Sequence, residues 1–133
     1  MSADVAYLDT SAVVKLLVRE ADSAALRREL KRWPRQASSS LLRVELLRTT
    51  KRAGLPRLAA LARRHLSAIN LIRVDDALLD RAGELDPPSL RSLDAIHLAS
   101  ALALGVDLGA MITYDDRMLN GAAALGLPTI SPH

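Results

Sequence analysis

Along the chain, short apolar runs hand over repeatedly to helically spaced segments. Val5-Ala6-Tyr7-Leu8 is an apolar run ending at Asp9, and the apolar-periodic segment Ala12 to Val18 follows it, so a strand feeds a helix. Asp22 or Ser23 can cap a second helix that reaches about Trp33, where Pro34 halts it. Gln36 to Ser39 is a weak strand, and Ser40 can open a long helix that ends before Gly54. Leu55 to Ala68, with Pro56 near its start, reads as the next helix. Ile69 to Val74 is extended, Asp75 or Asp76 caps a helix to Leu85, and Asp86-Pro87-Pro88 marks a loop. Leu93 to Leu104 is apolar almost all round, which predicts a largely buried helix stopped by Gly105. Ala110 to Thr113 is a compact strand ending at Tyr114-Asp115-Asp116, with a helix from Arg117 to Leu125 and a last strand around Thr129-Ile130. Strands that alternate with helices, without hairpin turns, predict an α/β fold whose parallel sheet is covered on both faces.

A chain of 133 residues matches the size of one domain, so a single domain over 1–133 is expected. The longest apolar stretch, Leu98 to Val106, is broken by Ser100 and Gly105 and falls short of the ~20 residues a membrane span needs. The start of the chain, Met1 to Asp9, reads as the beginning of the fold and not as an export signal. The absence of cysteine excludes disulfides, zinc-thiolate sites and thiol nucleophiles and fits a cytoplasmic protein.

Charge changes the picture more than composition does. Between Arg27 and Arg73 stand thirteen Lys or Arg against two acids, whereas from Asp75 onward three basic residues face nine acids. Arg28, Lys31 and Arg32 share one helical face, as do Arg48, Lys51 and Arg52, so each cluster is either a solvated surface or a seat for phosphates. With only Trp33, Tyr7 and Tyr114 as aromatics, recognition by stacking bases on a ladder of rings is not expected.

Four acids carry the candidate chemistry. Asp9 and Asp115 each follow a strand of the predicted parallel sheet, at the carboxyl edge where ligands gather. Asp94 lies in the first turn of the buried helix, where the macrodipole favours a negative group, and Glu45 borders the apolar stripe of its helix. Each also has an ordinary reading. Asp9 can be an N-cap, Asp94 a first-turn acid, Glu45 a partner of Arg48, and Asp115-Asp116 a cap for the following helix. Were the four to converge, their mutual repulsion would call for a cation. Oxygen ligands suit Mg²⁺ or Mn²⁺, and the matching chemistry is hydrolysis of a nucleic acid phosphodiester.

In Tyr7-Leu8-Asp9-Thr10-Ser11-Ala12, Val44-Glu45-Leu46, Leu93-Asp94-Ala95-Ile96-His97-Leu98-Ala99 and Thr113-Tyr114-Asp115-Asp116-Arg117-Met118, the chain resembles the PIN domains. Among these it is most similar to the VapC toxins of bacterial toxin–antitoxin pairs. The third segment is the most specific, and the order and separations match along nearly the whole chain. The resemblance implies a PIN-like three-layer α/β/α sandwich with a short parallel sheet. It further implies an endoribonuclease with catalytic Asp9, Glu45, Asp94 and Asp115, and Mg²⁺ held by Asp9 and Asp94 with Asp115. Ser11 and Thr113 match hydroxyl positions that support the acids. His97 invites a general-base reading by its spacing from Asp94, but the family motif carries it as a packing or supporting residue. Arg91 and Arg117 flank the acids, either to meet the scissile phosphate or to balance charge. Proteins of this kind form homodimers, and a small VapB-like antitoxin silences them, its tail able to place a basic residue among the acids.

Three rivals differ in detail. A phospho-accepting receiver domain would have an acidic pair before Asp9 and a Lys ending the last strand, and neither is present. A phosphohydrolase with an Asp nucleophile would carry a second Asp where Ser11 stands. The alternative of another class is a catalytically silent PIN-fold module that binds nucleic acid or a partner.

Overall fold

The computed structural model describes residues 3–133; Met1 and Ser2, part of the predicted start of the fold, lie outside the described residues. Five parallel strands, β1 (Val5–Leu8), β2 (Arg35–Ser39), β3 (Asn70–Ile72), β4 (Leu108–Ile112) and β5 (Thr129–Ile130), form one sheet in the order β3-β2-β1-β4-β5. Among the described residues, seven α-helices connect them: α1 (Thr10–Leu17), α2 (Ser23–Leu30), α3 (Leu41–Ala53), α4 (Pro56–Ala68), α5 (Asp76–Gly83), α6 (Ser92–Leu102) and α7 (Asp116–Ala124). No helix among them is long and apolar enough to cross a membrane.

Parallel strands buried on both faces need cores on both sides. β1 shows how one strand serves two layers, because successive side chains point to opposite faces. Its Ala6 and Leu8 join Val13, Leu26, Leu42, Leu46 and Leu66 from α1–α4, whereas Tyr7 joins Leu98, Met111 and Met118 on the side of α6 and α7. The result is the three-layer α/β/α sandwich that the resemblance implied. Helix α6 is buried over Ala95 and from His97 to Ala101, as its uniformly apolar sequence requires.

Several element ends differ from the expected ones, each for a local reason. Helix α1 begins at Thr10 and not at Ala12, because Asp9 is the cap and its carboxylate accepts from the backbone N–H of Ala12. Helix α2 stops at Leu30; Arg32 and Trp33 instead donate to Glu29 and Leu30 in tighter three-residue turns. Ser40 precedes α3, yet it does not cap it, since its hydroxyl accepts from Val74 N–H beside β3. Helix α6 ends at Leu102, and Gly105, in the left-handed region at φ 56°, opens a 3₁₀ turn into β4.

Near the start of β4, Gly109 lies against the carbonyl of Ala3 and the ring of Trp33, and a Cβ there would overlap both. Gly109→Ala is therefore expected to destabilise the fold by about 1–3 kcal/mol through overpacking. Thermal or urea unfolding checks this, and a variant as stable as the wild type would show that both the Trp33 ring and the Ala3 carbonyl move aside freely.

Candidate active site

The strand order reverses at β1: β2 and β3 lie on one side of it, β4 and β5 on the other. Open α/β sheets bind ligands just beyond the carboxyl ends of the strands at such a switch point. Asp9 follows β1 and Asp115 follows β4 by three residues, so adjacent strands deliver both acids to this edge. Leu8 pairs with Ile112, and the Asp9 N–H donates to the Ile112 carbonyl.

Asp9 is 2% exposed. Its Oδ1 accepts from Ser11 Oγ at 2.6 Å and from Ala12 N at 3.1 Å, and its Oδ2 accepts from Thr113 Oγ1 at 2.5 Å. Burial raises its pKa above the ordinary carboxylate value, a shift opposed by the hydrogen bonds from Ser11, Thr113 and Ala12 and by His97 nearby. No salt bridge reaches Asp9 among the described residues. Thr113 is a hub, since it also accepts from Asp115 N–H at 3.1 Å and lies 3.3 Å from Ser11 Oγ. Ser11 and Thr113, the two hydroxyl residues singled out in the sequence, both donate to Asp9.

Asp94 and Asp115 meet around one cation. Arg117 Nε is 4.0 Å from Asp94 Oδ2 and 3.9 Å from Asp115 Oδ1. Partial burial, and then Asp115, push the pKa of Asp94 up, while Arg117, His97 and Arg91 pull it down. Arg117 therefore balances charge between two acids in this structure. Arg91, exposed at the N-cap of α6, acts on Asp94 from the same end of that helix.

Glu45 does not pair with Arg48. Its Oε1 accepts from Thr10 Oγ1 at 2.6 Å and lies 2.7 Å from His97 Nε2. Burial raises its pKa, but the bonds from His97 and Thr10 outweigh it and the net shift is downward. His97 is buried in α6, and its Nδ1 lies 2.7 Å from the hydroxyl of the fully buried Tyr7. Sequence reading missed Tyr7 and Thr10 as contributors. One signal was available: Tyr7 and Asp9 stand two residues apart, the spacing that puts side chains on one face of a strand.

The ordinary capping reading holds for two of the acids. Asp9 caps α1, and Asp115 caps α7 by accepting from Arg117 N–H at 2.9 Å. Thr113 bonds both Asp9 and Asp115, Arg117 bridges Asp115 and Asp94, and Glu45 is bonded to His97, but among the described residues no three His, Asp or Glu close on one point as a ready metal cage. The donors are nonetheless of the right kind for a hard divalent cation. They are carboxylate oxygens, and Asp9 and Asp94 are both disfavoured as anions by burial. Mg²⁺ commonly uses only one or two carboxylates and keeps several waters, so an open set of acids fits it.

The sequence pattern that defines the PIN domain matches residues 6–124. The chain is 52% identical over 127 residues to Ribonuclease VapC46 of Mycobacterium tuberculosis (strain ATCC 25618 / H37Rv), spanning 95% of this chain and 96% of that protein. It is 40% identical over 130 residues to Ribonuclease VapC47 of Mycobacterium tuberculosis (strain CDC 1551 / Oshkosh), with the same coverage of both. Its fold is similar to that of Mycobacterium tuberculosis VapC20, described as a sarcin-ricin loop cleaving toxin, with a TM-score of 0.74 at 19% identity over 96% of this chain and 99% of that one. A toxin–antitoxin complex from Klebsiella pneumoniae contains a chain of like fold, with a TM-score of 0.71 at 22% identity over 96% and 98% of the two chains. A carboxylate-lined switch point on this three-layer sheet, a motif match over most of the chain and close identity to named ribonucleases lead to one conclusion: the protein belongs to the PIN-domain family, among its VapC ribonucleases.

Proposed function

We propose that the protein is a Mg²⁺-dependent endoribonuclease toxin whose site is formed by Asp9, Glu45, Asp94 and Asp115. One observation carries this reading. Asp9 is a buried carboxylate at the switch point, held as a hydrogen-bond acceptor by three donors and without a fixed cationic partner among the described residues, an arrangement costly to keep unless a cation joins it.

Asp9, Asp94 and Asp115 would hold the Mg²⁺, for which Mn²⁺ can substitute; when bound, the ion offsets phosphate charge and acidifies water. The remaining work falls to the chain. Ser11 and Thr113 fix both oxygens of Asp9. Glu45 Oε2, which takes part in no hydrogen bond among the described residues, can accept a proton from the attacking water. Arg117 and Arg91, exposed beside the acids, can meet the phosphate once Arg117 leaves its seat between Asp94 and Asp115.

That seat also supports the antitoxin reading. A basic side chain already fits between two of the acids, and a VapB-like antitoxin could place a second one there. The structural relationship to a chain from a toxin–antitoxin complex supports the same pairing, and a homodimer acting in the cytoplasm completes the proposal. Arg117 is at the same time the one feature that favours the silent module, because an internal counter-ion can replace a metal. Chelation decides between them: RNA cleavage should vanish in EDTA and return with Mg²⁺, and cleavage that survives chelation would overturn the metal-dependent reading.

The basic middle of the chain supports RNA as the substrate. Arg48, Lys51 and Arg52 are exposed on α3, the helix that carries Glu45, and form no ion pair among the described residues. Changing all three to Ser should weaken RNA binding. It should also flatten the slope of log K against log salt by about 2, from ~0.7 per lost phosphate contact on single strands. An unchanged slope would show that this face does not meet RNA.

A further inference from the structure

The four acids are held in different ways. Asp9 is held by hydroxyls, Asp94 and Asp115 share an exposed arginine, and Glu45 alone is held by a buried ring from another helix. That ring belongs to a continuous chain of side chains. The Tyr7 hydroxyl in β1 lies 2.7 Å from His97 Nδ1, His97 Nε2 lies 2.7 Å from Glu45 Oε1, and Thr10 Oγ1 donates to the same oxygen at 2.6 Å. Tyr7 is fully buried and His97 is 2% exposed, and the two rings meet edge to face with centroids 6.0 Å apart. Neither can turn without breaking core packing.

The chemistry gives this chain a direction. A phenol carries one proton and, with an ordinary pKa of about 10, keeps it at neutral pH. Facing a ring nitrogen, the hydroxyl donates to Nδ1, which leaves the imidazole N–H on Nε2 aimed at Glu45. Glu45 stands on a helix flanked by the exposed Arg43 and Val44, and its side chain has several rotatable bonds to restrain. Both bonds from the protein converge on Oε1, so Oε2 stays available.

We propose that His97, oriented by Tyr7, is a positioning residue for RNA cleavage: it locks Glu45 Oε1 so that Oε2 is presented to the reaction. The network also joins β1, α1, α3 and α6, the elements that carry or adjoin Asp9, Glu45 and Asp94, and so sets the spacing between these acids. This inference rests on the reading of Glu45 as one of the acting carboxylates.

The test is a double-mutant cycle on metal-dependent RNA cleavage by the full chain, using Glu45→Ala, His97→Leu and the pair. His97→Leu should lower kcat about 10–100-fold, the usual cost of losing a residue that orients an acting group, with KM for RNA changed less than about threefold. In the Glu45→Ala background, His97→Leu should cost nothing more. His97→Gln, whose amide N–H can replace Nε2–H, should recover most of the loss. Tyr7→Phe, which keeps the ring and removes only the hydroxyl, should cause a smaller fall of about tenfold and provides the readout should His97→Leu fail to fold. Full activity of Glu45→Ala would remove Glu45 from the site and the inference with it. If Glu45→Ala is impaired, then additive losses in the double variant, no rescue by His97→Gln, or a fully active Tyr7→Phe would each overturn the positioning role while leaving the Glu45 reading intact.

Discussion

Asp9→Asn is expected to lose RNA cleavage by about a thousandfold or more, and yet to unfold at a higher temperature than the metal-free wild type. The activity loss follows from removing a carboxylate proposed to hold the cation, since several kcal/mol of charge stabilisation corresponds to about three powers of ten in rate. The stability gain follows from burial. Asp9 is 2% exposed, and burial is the largest influence on its raised pKa. A carboxyl raised in this way keeps its proton in the folded state at a pH where the unfolded chain has already released it. Folding stability then falls as pH climbs from the ordinary value of 3.8 through the raised one, and the full penalty is present only above the latter. Asn avoids the charge and keeps most of the local bonding. Its carbonyl can still accept from Ser11 and Ala12, its amide can donate to Thr113 Oγ1, and the Thr113 proton can turn to Ser11 Oγ 3.3 Å away. Urea unfolding across this pH range in EDTA, together with cleavage assays in Mg²⁺, tests both halves. Wild-type cleavage by the variant would remove Asp9 from the site, and a less stable variant would show that hydrogen bonding to the carboxylate outweighs its burial.

Thr113→Val should damage stability and catalysis together, in contrast to Asp9→Asn. The side chain keeps its shape but loses the hydroxyl that donates to Asp9 Oδ2 and accepts from Asp115 N–H. Two polar groups then lack a partner at a position that is wholly buried, at a cost of about 2–3 kcal/mol. Because two of the acids hang from this one hydroxyl, cleavage should fall about 10–100-fold. Thr113→Ser retains the hydroxyl and should stay near wild type in both measurements. Equal behaviour of the Val and Ser variants would show that Thr113 only fills space.

How much of this was legible in the sequence depends on the range of each interaction. Patterns within an element read well: the uniformly apolar run around Leu98 gave a buried helix, and the run before Asp9 gave a strand buried on both faces. Ends read less well, because they depend on where one side chain turns. Asp9 starts α1 two residues early by capping it, and Ser40 gives its hydroxyl to Val74 N–H instead of to its own helix. Pairings across the fold were beyond local spacing. Glu45 has Arg48 one turn away, yet it chooses His97, which is 52 positions further along the chain. Only the sheet order makes Asp9 and Asp115 neighbours, and no periodicity reveals which strands lie side by side. Motif resemblance carried the choice of acids, and the structure adds which groups hold each of them.

The lone tryptophan has a practical consequence. Trp33 packs beside Gly109 at the amino end of β4, whereas Thr113 and the acids lie at the other end, at least four residues away or about 13 Å along an extended strand. Its indole emission should follow the loss of tertiary structure while remaining blind to cations or nucleotides arriving at the acids. Fluorescence and ligand titration can therefore be run as independent channels on one sample, without an added dye.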